Sequence, residues 1–285
     1  MKTNILVLVL VICFFPFFSA AGDVTLSQDL DAQAAIIKSD FRDKWEKTLV
    51  IRFSQRRRVI STNEGMADVL VVINHAAHPE LWSYVSETMK DNHEAGGKLY
   101  MKMIHERIAR QLGLRSNDIS MMGTAADMDN LAVVTKAYEP FIVTAVVTAG
   151  AKGNAIRTGV DEGAYIESEA FTKGPRSAED HKIGTINIIV LTNARITDGG
   201  LARAIITATE AKTAALEDLH VPSTYTKDIQ ATGTGTDTVI VASGTGKPLV
   251  TYPGGHSKIG ELMGKAVYEA VVEALGKQNG FKRDK

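Results

Sequence analysis

The stretch TINIIVLT, Thr185 to Thr192, decides the fold because it is an almost unbroken apolar run. Such a run is typical of a strand that is buried on both faces. It leads into a long predicted helix, Asp198 to Leu219, and the chain then enters a second apolar run, Thr238 to Ala242. We therefore predict a strand-helix-strand unit, and a right-handed crossover would make its two strands parallel.

The other segments add strands and helices on either side of this unit. We predict further strands at Thr48 to Phe53, Val59 to Thr62, Val69 to Asn74, Ile119 to Thr124 and Phe141 to Ala149. We predict further helices at Pro79 to Lys90, Lys98 to Leu112, Asp127 to Tyr138 and about Ser257 to Ala274. Neither a repeat nor a linker interrupts them, so we expect an α/β fold, a single layered domain with a mixed β-sheet and packed helices.

The composition fits a globular protein and gives no reason to expect nucleic acid as a partner. The 285 residues are 45% hydrophobic and 23% charged, and the formal net charge is −1. The one notable basic cluster, Arg56-Arg57-Arg58, lies between two predicted strands, where we interpret it as a solvated turn. Beyond the N-terminal segment, no apolar stretch is long and uncharged enough to span a membrane.

The N-terminus has the layout of a secretory signal peptide. Met1 to Asn4 carry one lysine, Ile5 to Phe18 are almost entirely apolar, and the small residues Ser19-Ala20-Ala21 follow. We expect cleavage after the last of these, export to the periplasm, and a mature domain that covers residues 22–285. The only cysteine, Cys13, would be removed, which excludes a cysteine nucleophile, a disulfide and a thiolate metal site from the mature protein.

The strongest candidate for a binding loop is ATGTGTD, Ala231 to Asp237, directly before the second apolar run. Alternating glycines let backbone amides approach a ligand closely, and the hydroxyls and the carboxylate supply donors and acceptors. We assign Asp237 and Thr234 as candidate catalytic residues. We assign the other four to substrate binding: Thr232, Gly233, Gly235 and Thr236. The alternative is a glycine-rich turn whose threonines satisfy its own backbone.

Lys212 falls in the middle of the apolar face of the long predicted helix, among Leu201, Ala208 and Leu219. A lysine there must either find a partner or snorkel along the sheet edge. A partnered lysine suits proton transfer or anion contact, so we assign Lys212 as a candidate catalytic residue. Glu210 lies nearly opposite, and it is a candidate for substrate binding or a surface salt-bridge residue.

A second polar loop leaves the predicted strand that ends at Ala149. Ligands bind at strand ends in α/β sheets, and Asn154 and Arg157 supply a carboxamide and a forked cation there. We assign both residues to substrate binding. The acidic pair Asp161-Glu162 follows, and we interpret it as a solvated turn.

A third loop, Tyr252 to His256, precedes the last predicted helix. Backbone amides at a helix N-terminus can stabilise an anion, and a histidine can move protons near neutral pH. We therefore assign His256 as a candidate catalytic residue, with a capping or packing role as the alternative. We expect all three loops to converge on one pocket. His75 and His78 have no evident third ligand at metal spacing, so we assign no metal ligands, and the sequence neither requires a metal nor excludes one.

Six runs of sequence, spread over most of the chain, carry a family resemblance. They are MMGTAADM (Met121 to Met128), VTAG with NAIR (Val147 to Arg157), GTINIIVLTN (Gly184 to Asn193), ATEAKTAAL (Ala208 to Leu216), ATGTGTD with VIVAS (Ala231 to Ser243), and GGH with an ExxGxAVYEA helix (Gly254 to Ala270). Together they resemble the adenosylcobinamide amidohydrolase family from about Thr48 to Leu275. The resemblance implies an α/β enzyme that cleaves the amide joining aminopropanol to a corrin-ring propionyl group, which releases adenosylcobyric acid for corrinoid salvage.

The resemblance implies a corrinoid as substrate and partner, with no required cofactor. Relatives of this kind are usually cytoplasmic, whereas this N-terminus predicts export. A corrinoid without the adenosyl group, or another bulky amide, is therefore an alternative substrate. After Arg157 the chain reads Thr-Gly-Val-Asp, a longer link to Asp161 than the family leads us to expect.

Amide hydrolysis needs an activated nucleophile, oxyanion donors and an acid for the leaving amine. The nucleophile is either a threonine of ATGTGTD or a water activated by Asp237 or His256, and we favour the water. The amides of Gly233 and Gly235 and the side chain of Asn154 are candidate oxyanion donors. A non-enzymatic corrinoid-binding protein, which would need the pocket alone, is a competing hypothesis. An amidohydrolase for an unrelated substrate is a third.

Overall fold

The computed structural model describes residues 20–88, 96–163, 165–166, 172–173, 184–226 and 228–283, so nearly all of the expected signal peptide lies outside the described residues. The strands are Ala20–Val24 (β1), Ala32–Phe41 (β2), Lys44–Ser61 (β3), Gly65–Ala77 (β4), Ile119–Thr124 (β5), Ala132–Tyr138 (β6), Phe141–Ala149 (β7), Ala155–Ile156 (β8), Tyr165–Ile166 (β9), Thr172–Lys173 (β10), Ile186–Thr192 (β11), Ala194–Ile196 (β12), Gly233–Thr234 (β13), Thr238–Ala242 (β14) and Gly246–Val250 (β15). The helices are Pro79–Thr88 (α1), Gly96–Leu112 (α2), Asp198–Asp218 (α3) and Lys258–Asn279 (α4). None of the helices in the described ranges is both long and apolar enough to cross a bilayer.

The predicted strand-helix-strand unit is confirmed as β11, α3 and β14. All seven residues of β11 are buried, and β11 pairs in parallel with β14, with Ile189 opposite Ile240. The other edge of β11 pairs antiparallel with β7. The predicted first and last residues of three strands, β5, β7 and β14, agree with those in the structure. Each is a short apolar run with clear polar boundaries.

One mixed sheet of nine strands forms the framework, and its main order is β1-β2-β3-β14-β11-β7-β6. The strand β3 is 18 residues long. It pairs with β4 on both sides of a bulge, its first part also pairs with β2, and its last residues also pair with β14. Strand β5 completes the sheet by pairing in parallel with β4. Because β3 belongs to both halves, the sheet curls until the two halves face each other.

The curled sheet gives four layers, with helices outside and two sheet halves inside. Apolar residues of both halves pack together in the middle, among them Leu49, Ile51, Met122, Val146, Ile189 and Ile240. One outer layer is α3 and α4, which pack on β7, β11 and β14. The other is α1 and α2, which pack on β3, β4 and β5. The predicted α/β domain with a mixed sheet and packed helices is confirmed.

The interpretation of Arg56-Arg57-Arg58 as a solvated turn is wrong. All three lie within β3, which runs through the two strands predicted on either side of them. The pairing of β3 with β4 shifts register between Arg52 and Arg57, so a bulge absorbs the extra residues. Arg57 is 3% exposed, and its guanidinium donates to Leu30 O (2.7 Å) and Ser243 O (3.4 Å). One residue of this polar run is therefore a buried arginine whose guanidinium donates hydrogen bonds to backbone carbonyls.

The helix predicted from Asp127 to Tyr138 is also wrong. Its first residues form a short 3-10 turn that Asp127 caps by accepting from Asp129 N (3.0 Å). Lys47 Nζ binds both carboxylates at 2.6 Å and fixes this turn. The rest is strand β6, which contains three consecutive β-branched residues and pairs with β7 along its length. The β-branched run favours a strand, and pairing with β7 overrides the helical spacing.

The topology gathers loops at one edge of the sheet. Strand β7 ends where β11 begins, since Ala149 pairs with Ile186, and β14 begins beside the same end of β11. Helix α4 also ends at this edge, because Asn279 Oδ1 accepts from Ala151 N (2.8 Å). Helix α4 is 22 residues long, so its N-terminus lies about six turns away. The loop before α4 is therefore roughly 30 Å away, at the opposite edge.

A buried polar network ties α2 to the sheet. The Glu46 carboxylate accepts hydrogen bonds from Tyr100 OH (2.5 Å) and Arg107 Nη2 (2.6 Å). His75 continues the chain, with Nε2 3.0 Å from Tyr100 OH and Nδ1 2.9 Å from Thr48 Oγ1. The Tyr100 hydroxyl has one proton and donates it to Glu46. His75 Nε2 must therefore be the donor to Tyr100, and Nδ1 must accept from Thr48.

Burial sets the protonation states in this network. Burial lowers the pKa of His75 to about 4, from an ordinary value of 6.5. Burial and the hydrogen bond to Glu46 raise the pKa of Tyr100 well above its usual range. Burial alone would raise the pKa of Glu46, but the hydrogen bonds from Tyr100 and Arg107 outweigh it, and the pKa is lowered. The network therefore holds a neutral imidazole beside a carboxylate anion.

We predict that the free energy of unfolding falls as the pH is lowered from about 6.5 to about 4. In that window the unfolded chain binds a proton at His75 that the folded protein excludes, so stability is lost at about 1 kcal/mol per pH unit. The variant His75→Gln has no imidazole to protonate and is expected to show a shallower loss. Urea unfolding at several pH values measures both slopes, and identical slopes would contradict the assignment.

Candidate functional site

The ATGTGTD loop and the Asn154 loop meet at the edge where β11 begins. They form a two-stranded ladder, β8 with β13, in which Thr234 pairs with Ala155 and Gly233 with Ile156. The Asn154 carboxamide lies under Gly235, because a Cβ placed on that glycine would be 3.8 Å from Asn154 Oδ1. The prediction that these two loops converge is confirmed.

Lys212 is buried and forms an ion pair with Asp237, as the prediction for this lysine required. The two side chains are 8% and 14% exposed, so the lysine does not snorkel into solvent. Helix α3 points Lys212 at the loop from its C-terminal half, and Thr213 Oγ1 donates to Thr232 O (3.1 Å) beside it. The ion pair thus ties α3 to the glycine-rich loop.

The Asp237 carboxylate accepts the hydrogen bonds that hold the glycine-rich loop in place. Its Oδ2 accepts from Lys212 Nζ and from Thr234 N (3.1 Å). Its Oδ1 accepts from Thr234 Oγ1 (2.5 Å) and from Ile186 N (3.1 Å). A carboxylate offers about four lone-pair directions, and donors from the described residues occupy all four. The carboxylate therefore fixes the loop to the first residue of β11.

Glycine is required at position 233. A Cβ there would overlap both Lys212 Nζ and Asp237 Oδ2. The alternating glycines therefore do let groups approach closely, but at Gly233 the approaching group is the protein's own ion pair. At this part of the loop the alternative interpretation holds, because the polar groups form hydrogen bonds within the protein and not with a ligand. The tip is different, because Gly235 and Thr236 are exposed.

Asn154 and Arg157 build the second loop. Asn154 is buried, its Nδ2 donates to Gly184 O (2.9 Å), and its Oδ1 accepts from Tyr225 OH (2.9 Å). Arg157 Nη1 donates to Gln230 O (3.2 Å). Both side chains hold neighbouring segments in place, which leaves Asn154 poorly placed to serve as an oxyanion donor.

Asp161 is a structural anchor, and its interpretation as part of a solvated turn is wrong. Its carboxylate accepts from Arg157 N (2.6 Å), from Ser223 Oγ (2.7 Å) and from Thr226 Oγ1. Only Glu162 of the acidic pair is exposed. The segment around Ser223 and Thr226 therefore belongs to the same edge, although its sequence carries no motif that marks it.

His256 lies outside this site, so the predicted convergence of all three loops is wrong. His256 is exposed, and its loop packs on the first half of α3, where Thr207 Oγ1 donates to Pro253 O (3.0 Å). That end of α3 is at the opposite edge of the sheet from Asp237. Each of the three loops joins the end of an apolar segment and carries glycine with polar groups, but α4 runs back across the whole sheet, so the loop before it lies at the opposite edge.

Glu210 is exposed on α3, while Lys212 belongs to the buried stripe of that helix. This exposure confirms that Glu210 is a surface residue, while its part in a salt bridge stays a prediction. A part for Glu210 in substrate binding stays a prediction.

A cluster of polar side chains that no sequence motif marks lies between the two sheet halves. Asn187 Nδ2 donates to Asn74 Oδ1 (2.9 Å) and to Gly123 O (3.0 Å), and Asn74 Nδ2 donates to Thr148 Oγ1 (2.9 Å). We call Asn74, Thr148 and Asn187 the inner amide cluster. The available signal was an asparagine inside each of two otherwise apolar strands, VVINHAA and INIIVLT. Such residues must be hydrogen-bonded, and their partners come from strands far away in sequence.

Within the described ranges, no group of three or more His, Cys, Asp or Glu side chains could hold a metal ion. The loops that meet at the start of β11 offer hydroxyls, a carboxamide, exposed backbone amides and the ion pair of Lys212 with Asp237.

Comparison with known proteins places the chain among amide hydrolases. The profile of the family described as adenosylcobinamide amidohydrolase matches residues 30–283. An uncharacterized protein of Methanocaldococcus jannaschii is 43% identical over 239 residues, which cover 83% of this chain and 88% of that protein. The adenosylcobinamide amidohydrolase of Methanosarcina mazei is 31% identical over 176 residues, which cover 59% of this chain and 70% of that protein.

Among solved structures, a crystal structure of a Pyrococcus horikoshii protein aligns with a TM-score of 0.42 and 10% sequence identity. The alignment covers 93% of this chain and 89% of that one. A likeness at this level says nothing about the chemistry of the site.

We predict that Lys212→Met and Asp237→Asn each destabilise the protein by about 3–5 kcal/mol, because each leaves its partner buried without a counter-charge. The double variant is expected to recover part of that loss, and urea unfolding of all four proteins gives the coupling. The exposed pair Glu261 and Lys265 is the control, since its removal is expected to leave no measurable coupling. Strictly additive losses at Lys212 and Asp237 would contradict the assignment of a buried pair.

Proposed function

This chain belongs to the adenosylcobinamide amidohydrolase family, and we propose that it hydrolyses the amide between aminopropanol and the corrin ring of adenosylcobinamide. The observation that carries the proposal is the family match over residues 30–283, which includes every loop at the edge where β11 begins. The products are aminopropanol and adenosylcobyric acid, and the reaction belongs to corrinoid salvage. The same chemistry serves cobinamide without its adenosyl group.

The nucleophile that the contacts favour is Thr234. Asp237 is the base nearest to the loop tip, and donors of the described residues fill its lone-pair directions. One of those donors is a hydroxyl, Thr234 Oγ1, at 2.5 Å. A water would have to displace an existing partner to reach Asp237, whereas Thr234 already touches it. We therefore propose Thr234 as the nucleophile in place of the activated water that the sequence favoured.

Proton transfer through the ion pair completes the reaction. Thr234 Oγ1 attacks the amide carbonyl while its proton passes to Asp237. Lys212 gives a proton to the leaving nitrogen as the C–N bond breaks, and it recovers one from Asp237. Aminopropanol departs and leaves an ester between Thr234 and the corrin propionyl group. Water then hydrolyses that ester, and its proton returns to Thr234.

The oxyanion of the tetrahedral intermediate needs N–H donors that face the substrate. Asn154 is engaged with Gly184 O and Tyr225 OH, so it is a poor candidate. Gly235 lies at the exposed tip of the loop, directly after Thr234. We assign its backbone N–H as the donor, which places the attacking hydroxyl and the oxyanion donor on adjacent residues.

We predict that Thr234→Val lowers kcat by about 10³-fold or more, because an isosteric methyl cannot attack a carbonyl. Thr234→Ser keeps the hydroxyl and is expected to retain measurable turnover. Thr213→Val, which alters a threonine bonded to the carbonyl of Thr232, is the control and is expected to retain most of the activity. The assay measures release of aminopropanol by mass spectrometry from adenosylcobinamide and from cobinamide.

Two results would overturn these assignments in different ways. Full activity of Thr234→Val would exclude Thr234 as the nucleophile and would favour an activated water instead. Tight binding of cobinamide by the unaltered protein, with no amine released from either substrate, would replace the enzyme with a corrinoid carrier.

We also propose that the protein acts after export, with cleavage following Ala21. The layout of residues 1–21 supports this: a lysine, an apolar core and small residues at the cleavage positions. We predict that protein recovered from the periplasm begins at Gly22, as intact-mass analysis would report. Ala21→Leu is expected to leave the precursor uncleaved, because a bulky side chain replaces the small one. A cellular protein that keeps Met1 would contradict the proposal.

A further inference from the structure

The tip of the glycine-rich loop directs a second backbone N–H at the proposed nucleophile. The N–H of Thr236 donates to Thr234 Oγ1 at 3.4 Å, and the same hydroxyl donates its own proton to Asp237 Oδ1 (2.5 Å). Gly235 and Thr236 are both exposed. The tip is therefore the part of the loop that a substrate can reach from solvent.

The distance from Thr236 N to Thr234 Oγ1 suits a donor that acts during the reaction. It exceeds the usual N–H···O distance of about 2.9 Å, so the N–H binds the resting hydroxyl only weakly. When Oγ1 attacks a carbonyl, negative charge moves to the carbonyl oxygen, which is bonded to the same carbon that Oγ1 has attacked. An N–H that points at Oγ1 with space to spare is placed to bind that oxygen.

The residues that lead into β11 hold Thr236 from two sides. Its side-chain Oγ1 donates to Gly184 O (3.0 Å), and its carbonyl accepts from Thr185 Oγ1 (2.7 Å). The next residue, Ile186, donates its N–H to Asp237. Three successive residues thus fix the loop tip and the carboxylate together, which limits how far the N–H of Thr236 can turn away from the nucleophile.

The hydroxyl of Thr185 is the least expected of these contacts. Thr185 is 5% exposed and directly precedes a strand in which every residue is buried. Valine has nearly the same shape as threonine and suits such a strand equally well. What the hydroxyl adds is its hydrogen bond to Thr236 O.

We propose that the N–H of Thr236 is a second oxyanion donor, next to that of Gly235, and that Thr185 is the positioning residue that holds it there. This inference rests on the proposed function. Successive backbone N–H groups in a turn form a concave surface that binds anions. Such donors stabilise the transition state more than the bound substrate, so their loss lowers kcat and leaves KM almost unchanged.

The first test removes the hydroxyl that positions Thr236. We expect Thr185→Val to lower kcat for adenosylcobinamide about tenfold with KM unchanged, and Thr185→Ser to restore kcat. Thr192→Val is the matched control, because Thr192 is a buried threonine at the other end of β11, and it is expected to keep kcat. Urea unfolding gives the folded fraction of each variant, and kcat is expressed per folded protein.

The second test removes the N–H itself. An ester replaces the peptide bond between Gly235 and Thr236 when the α-hydroxy acid of threonine is incorporated at position 236 by nonsense suppression. The exchange removes the donor and keeps the side chain, and we expect kcat to fall about 10²-fold or more. The control is the same ester between Gly244 and Thr245, an identical pair of residues after β14, and it is expected to keep kcat.

The outcomes separate the inference from the proposed function. Unaltered kcat in the protein with the ester at position 236 would overturn the second donor. Equal kcat in Thr185→Val and Thr192→Val would overturn the positioning role. Should Thr185→Val not fold, the ester protein decides, because it changes one exposed peptide group. Failure of the unaltered protein to release aminopropanol would instead overturn the proposed function.

Discussion

The ion pair between Lys212 and Asp237 is the contact on which the rest of the site depends. It lies where α3, the glycine-rich loop and the start of β11 come together, and both charges are largely shielded from solvent. Shielding strengthens the attraction, but it also makes an unpaired partner costly. The loop can therefore adopt its observed path only with a carboxylate at 237 and no side chain at 233. Thr234 owes its position to the same carboxylate.

The curled sheet explains why a second set of polar groups lies so near. Because β3 pairs with both halves, β4 is brought over the face of β11, and Asn74 meets Asn187. One residue earlier, at the first position of β11, the backbone N–H of Ile186 binds Asp237, whose carboxylate meets Lys212 of α3. The start of β11 thus connects two groups of polar residues, one facing α3 and one between the sheet halves.

The buried strands of the sheet could be predicted from the sequence, whereas the positions of polar side chains with distant partners could not. Strands such as β7 and β14 are continuous apolar runs, and local composition alone identifies them. Lys212 was found because one charge in an apolar helical stripe demands a partner. Arg57 was misjudged because a bulge and two distant carbonyls bury it, and neither is visible in a local run of arginines. The partnership of Asn74 with Asn187 spans 113 residues, so only the folded sheet reveals it.

The most direct measurement is the position of cobalt in crystals of the protein with bound cobinamide, located by its anomalous scattering. The account predicts that the cobalt lies at the edge of the sheet formed by the ATGTGTD and Asn154 loops, closer to Thr234 than to His256. A cobalt beside His256, at the opposite end of α4, would contradict it.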